Sequence, residues 1–271
     1  MMTLATLAVF FCVEVHGDLH EQIEAVTKQI EKDPADALLY FKRGELYRFH
    51  EDFKASLADL KRAALLAPKL DGVDLATGRT WLQAGDAREA RVALDRFLAR
   101  HPDVADALVE RARALVRLGE RAAAVEDYTR ALAKTSEPRP ETYIERAQAL
   151  AAQGPDRLDE ALRGLDEGMR KLGPAVSLQL LAIDFEVSAR RYEAALGRVD
   201  RATAAAERKD SWLARRGDIL KLAGRTKEAR SAFTAALAEI ESLNPYRRKA
   251  KATMELESRL RAELEAPHEG R

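Results

Sequence analysis

ADALVERARALVRLGERAAAVEDYTRALAKTSEP, residues 105–138, decides the fold. Its apolar and small positions Leu108, Ala112, Leu115, Ala124, Tyr128 and Ala131 fall at helical spacing in two runs, and Gly119 separates the runs. A glycine just past a helix end takes the left-handed conformation at little cost. The stretch therefore reads as two amphipathic helices joined by a tight turn. Moving outward, the pattern returns every 34 residues. Pro34, Pro68 and Pro102 share this spacing, and so do Gly44, Gly78 and Ala112. Two independent columns in phase mark an internal repeat.

The register gives repeats at 37–70, 71–104, 105–138, 140–175, 176–209 and 210–243, with about two extra residues around Pro155–Arg157. Gly85, Gly119, Gly154 and Gly224 mark turns between helices. The unit 176–209 departs most: Ile183 holds its small position and Arg190 its turn. Where paired helices cross, Gly44 is expected to face Ser56, and Gly78 to face Ala90. A large side chain at such a crossing costs about 1–3 kcal/mol in strain.

Over residues 18–243 the chain resembles the tetratricopeptide repeat (TPR) family. The resemblance implies an all-α fold: a right-handed helical solenoid of stacked antiparallel helix pairs, the TPR superhelix. One such unit cannot bury its own apolar face, so the ends need caps. Residues 18–36 read as a half-repeat, with Leu19, Ile23, Val26 and Ile30 on one face and a capping box at Asp18 and Glu21. Residues 244–265 read as a C-terminal capping helix opened by Asn244 and Pro245, and 266–271 as a tail. Leu256, Leu260 and Leu264 are expected to pack on the last repeat. The basic start of this helix, Arg247, Arg248, Lys249 and Lys251, opposes the helix dipole and calls for partners such as Glu239 or Glu241, or a bound anion.

Composition narrows the function. Lys+Arg and Asp+Glu both number 45, so the formal net charge is zero. A general nucleic-acid binder needs a surplus of cations, and none is expected as a partner. One cysteine excludes a disulfide scaffold and a thiolate zinc site. No nucleophile elbow, phosphate-cradling loop or HExxH pair is present, so the chain is expected to be no enzyme and to need no metal or cofactor. Carboxylates follow helix faces, as in Glu110 with Arg113.

Residues 1–17 contain the apolar run MTLATLAVFFCV. It is shorter than the roughly 20 residues that span a bilayer. It has the length of a signal-peptide core, with Val15 and Gly17 as small residues before a cut at Asp18, although no Lys or Arg precedes it. Heavy Ala and Arg usage suggests a GC-rich bacterial genome, and with a cleaved signal that implies an exported, periplasmic protein with no membrane span in the mature chain. An uncleaved segment implies a cytoplasmic one.

In the family it resembles, the first helix of each pair lines a concave groove for extended peptides or partner helices. Carried onto this chain, the resemblance places Phe41, Leu75, Leu82, Val109, Val116, Ile144, Leu180 and Val187 as apolar groove positions. Glu45, Arg79, Arg113, Arg117, Gln148, Asp184 and Asp218 are among their polar neighbours. Arg79, Arg113 and Arg117 form a basic cluster suited to a carboxylate or phosphate. The lysine/asparagine clamp of chaperone-binding members is absent, since Phe41 with Glu45 and Leu75 with Arg79 hold its slots. The expected function is that of a protein-binding scaffold or adaptor, acting as a monomer on a protein or peptide partner. A small-anion sensor built on the arginine cluster and a passive spacer stand as alternatives.

Overall fold

The computed structural model describes residues 19–266, and every regular element among them is helical. The expected signal segment, Cys12, His16, Asp18 and His268 lie outside the described residues. The chain divides into two units, one ending at Pro138 and the other beginning at Arg139.

The first unit holds α1 (19–32), α2 (Ala37–Phe49), α3 (Phe53–Leu66), α4 (Val73–Ala84), α5 (Ala87–Arg100), α6 (Ala105–Arg117) and α7 (Arg121–Lys134). Helices α2 and α3, α4 and α5, and α6 and α7 form the hairpins, while α3 packs on α4 and α5 on α6. The first helices also meet: α2 touches α4, and α4 touches α6. At the open end, Ile23, Val26 and Ile30 of α1 cover Leu46 of α2. Aspartates start several helices, as residues that accept from first-turn N–H groups should. Asp36 accepts from Leu38 (2.8 Å), Asp52 from Ala55 (3.0 Å), and Asp86 from Arg88 and Glu89 (3.1 Å each).

The crossings are as close as the small residues require. A Cβ added at Gly78 would lie 2.5 Å from Cγ of Leu94, and one at Gly44 would lie 3.0 Å from Cγ of Leu60. The turns after α2, α4 and α6 pass through positive φ at Glu51 (63°), Gly85 (91°) and Gly119 (81°). The non-glycine residue there carries the small steric cost of the left-handed region.

The second unit holds α8 (Pro140–Ala151), α9 (Leu158–Leu172), α10 (Val176–Ser188), α11 (Tyr192–Ala205), α12 (Asp210–Leu222), α13 (Thr226–Ser242), α14 (Pro245–Arg248) and α15 (Lys251–Glu265). A 3-10 turn at Pro155–Arg157 takes up the extra residues between α8 and α9. Each helix from α8 to α13 packs on the next. Ile183 is fully buried and shares a core with Ala195, Leu196 and Val199, so the small side chain at Ala195 leaves room for the large one at 183. Arg190 adopts φ 58°, the turn conformation that glycine takes elsewhere.

One element differs from the sequence reading. The expected continuous helix over 244–265 is broken after Lys249, because Ala250 is extended (φ −62°, ψ 134°). The break lets α15 pack against α13, with Leu260 fully buried and Leu256 and Leu264 beside it. The basic residues find other partners than expected. Arg248 donates to Glu257 (3.0 Å) and Lys251 lies 3.9 Å from Glu255, while Glu241 accepts from Arg261 (3.3 Å).

Candidate partner-binding surfaces

In the first unit, neighbouring first helices carry the expected groove residues, and many are already engaged. Phe41 is half-buried against Val73 and Ala76. Leu82 and Val109 are 4% and 5% exposed and belong to the core, which leaves them little surface to offer. Leu75 packs on Leu82 and Leu94, and Val116 is half-buried. Glu45 holds the Arg48 guanidinium through two hydrogen bonds (2.9 and 3.1 Å), and Arg48 also donates to Gln83 (3.2 Å).

The arginine cluster is not a bare cationic patch. Arg79 lies 3.7 Å from Asp106 and 3.9 Å from Glu110. Arg113 lies 3.4 Å from the same Glu110, and Arg117 donates to the carbonyl of Leu82. Asp106 and Glu110 thus answer Arg79 and Arg113, while a backbone carbonyl takes up Arg117. The sequence reading paired Glu110 with Arg113 but missed Asp106, which comes from the first turn of α6 and reaches back to α4.

In the second unit, Ile144 is half-buried and Gln148 exposed on α8. Asp184 of α10 and Asp218 of α12 meet at a groove of about 540 Å3. Val176 and Leu180 from α10, Trp212 from α12 and Leu256 from α15 give it an apolar wall. Asp184 is bound by Arg215, and Asp218 accepts from Arg259 (2.8 Å), so two ion pairs edge that wall. Nε of Arg215 is buried without a hydrogen-bond partner among the described residues. Leu180 is 39% exposed and Val176 57%. Val187 by contrast packs into the core beneath.

The repeat register places Leu180, Asp184 and Asp218 in a groove, but it does not place Trp212, Val176, Leu256 or Arg259 there. Trp212 carried a signal: it is one of two tryptophans in the chain, and tryptophan is over-represented at binding hot spots. Leu256 and Arg259 were hidden because α15 was read as a cap, whereas it is also a groove wall.

Beneath these faces run arginine bridges. Arg43 donates twice to Asp59 (2.6 and 2.8 Å) and once to Thr27 (3.0 Å). Arg111 donates twice to Asp127 (2.7 Å each) and once to Asp95 (2.9 Å). Arg198 holds Glu186 (2.9 Å) and Asp166 (2.6 and 3.0 Å). Hydrogen bonds to Asp127 and Asp166 raise the pKa of Arg111 and Arg198 above its ordinary value, against the opposing pull of burial. Among the described residues no group of three or more His, Cys, Asp or Glu side chains is placed to hold a metal ion, and no helix is long and apolar enough to cross a membrane.

A tetratricopeptide-repeat family model matches residues 75–138 and 109–175. Solved structures show the same fold. YrrB, a TPR protein with an unusual peptide-binding site, is 22% identical, with a TM-score of 0.56 over 67% of this chain and 92% of its own. A tetratricopeptide repeat protein from Parabacteroides merdae is 17% identical, with a TM-score of 0.57 over 93% of this chain and 95% of its own. MamA is 21% identical, with a TM-score of 0.52 over 58% of this chain and 85% of its own. No curated protein matches the chain. The chain thus shares the fold of these TPR proteins, and the repeat sequence itself is recognised between residues 75 and 175.

Proposed function

We propose that this protein is a noncatalytic scaffold that binds a peptide or a segment of a partner protein along the faces of its first helices. The carrying observation is the groove of the second unit. An open aromatic and aliphatic wall of Val176, Leu180, Trp212 and Leu256 is edged by the pairs Asp184–Arg215 and Asp218–Arg259. Apolar side chains of a partner would supply affinity by leaving water, and the charges at the edge would set register and orientation. The TPR fold supports this reading, and the structural neighbour YrrB has a peptide-binding site. The apolar segment at 1–17 favours export to the periplasm as the setting.

Selection of a phage-displayed random peptide library on the full chain tests the proposal. Enriched peptides are expected to share an apolar anchor, and Trp212→Ala and Leu180→Asp should each weaken them at least ~10-fold without loss of helicity by circular dichroism. Enrichment no better than on a blank surface, or peptides indifferent to both variants, would sink it.

A further inference from the structure

Trp212 and Val176 also line a second cavity, of about 330 Å3, where the start of α10, the end of α11 and the start of α12 meet. Its walls are apolar apart from two side chains, Gln179 and Arg201. Gln179 is committed, since its amide donates to the carbonyl of Arg198 (3.1 Å). Arg201 is exposed and makes no hydrogen bond or ion pair among the described residues. Its neighbours differ: Arg198 holds Glu186 and Asp166, Arg208 holds Asp210, and Arg215 holds Asp184. An unmatched guanidinium beside an apolar cavity is a built charge asymmetry, and guanidinium matches the planar carboxylate through its forked donors.

The helix ends sharpen the assignment. Ala175 caps α10, so no side chain takes up the first-turn N–H groups, and that end carries partial positive charge. Ala202 and Ala205 line the cavity from the last turn of α11, where unpaired carbonyls carry partial negative charge. An anion is drawn to Arg201 and the start of α10 and kept away from the end of α11. An apolar body fits that end, against the two alanines and Trp212.

We infer that this cavity binds a molecule with an apolar body and a single carboxylate, the carboxylate on Arg201 and the body between Trp212 and the alanines of α11. A free aliphatic acid and the C-terminal residue of another chain present the same chemistry. The cavity shares Val176 and Trp212 with the groove, but Arg201, Ala202 and Ala205 line only the cavity and Leu180 only the groove, so the inference does not depend on the peptide-binding proposal.

Fluorescence titration tests it, with Trp81→Phe as the background so that Trp212 is the only tryptophan. Octanoate is expected to change Trp212 emission saturably and to bind at least ~10-fold tighter than 1-octanol. Arg201→Gln should bring octanoate to the level of the alcohol, and Ala205→Leu, which fills the cavity and leaves Arg201 in place, should weaken both. Leu180→Asp should leave octanoate binding unchanged, which separates this result from the fate of the groove. A leucine-ending peptide, as free acid and as amide, forms the other arm. Tighter binding of the acid peptide than of octanoate assigns a chain terminus as the source, and the reverse order assigns a free acid. No saturable response, equal binding of octanoate and octanol, or an acid preference that survives Arg201→Gln overturns the inference.

Discussion

Two glycines inside helices show how the surroundings set the sign of a substitution. A Cβ at Gly217 would overlap the ring of Phe233, which is 2% exposed and has little room to move. A Cβ at Gly197 would meet only the far end of Arg201, at 3.6 Å. Both positions would gain about 0.5–1 kcal/mol from replacing glycine by alanine in a helix. Only Gly217 also incurs overpacking of about 1–3 kcal/mol. Gly197→Ala should therefore raise the urea midpoint and Gly217→Ala should lower it, both with unchanged slope. Close approach also explains why the repeat could be read from sequence at all. At Gly44 and Gly78 the facing helix leaves no space for a larger side chain, and their column, with Ala112, gives the register. The arginine bridges could not be read that way. Arg111 and its carboxylates stand 16 residues apart on different helices, outside the three- and four-residue spacing that a single helix face reveals.

At the scale of elements, α14 and α15 are joined through one carboxylate. Glu257 accepts from Arg248 of α14 (3.0 Å) and from Arg261 of α15 (2.8 Å). Its pKa is held below the ordinary value, first by the hydrogen bond to Arg261 and then by that to Arg248. A depressed carboxylate stabilises the fold above its unfolded pKa, and the contribution is lost as pH falls through the folded value. Residues 244–250 should therefore lose hydrogen-exchange protection, corrected for intrinsic rate, between neutral pH and about pH 3. Glu257→Gln should already be deprotected at neutral pH and respond less to acid. A wild-type profile as flat as that of the variant would show that the carboxylate does not hold these helices together. The break at Ala250 was illegible because helix-compatible residues flank it, and packing of Leu260 onto α13 set the direction of α15. The groove wall that α15 supplies was missed for the same reason.

Across the molecule, positive and negative side chains are equal in number, and the structure shows where that balance is spent. Arg43, Arg111 and Arg198 each reach at least two other helices, so successive elements are fastened by shared charges as well as by apolar contact. Removing the arginine leaves each carboxylate only a weaker contact, Asp127 with Arg130 at 4.0 Å and Asp95 with Arg91 at 3.5 Å. Asp127 is 3% exposed, and Arg111→Met should destabilise the first unit by up to about 3–5 kcal/mol, the usual cost of breaking a buried pair. Combining it with Asp127→Leu should recover most of that loss, read from urea melts of the single and double variants. Failure of the double variant to recover would assign the loss to the arginine's packing instead.

The bridges at Arg43 and Arg111 are laid out alike. One runs from Thr27 to Asp59 and the other from Asp95 to Asp127, each centred on its arginine and each contained in slightly less than one period of sequence. A gene that gains a whole 34-residue module between Asp59 and Asp95, outside both bridges, leaves each arginine at its old spacing from its partners. An insertion inside a bridge that brings no equivalent partner pulls the arginine out of reach of one side. Tandem duplication in whole modules is thus the route of growth that this electrostatic design tolerates best.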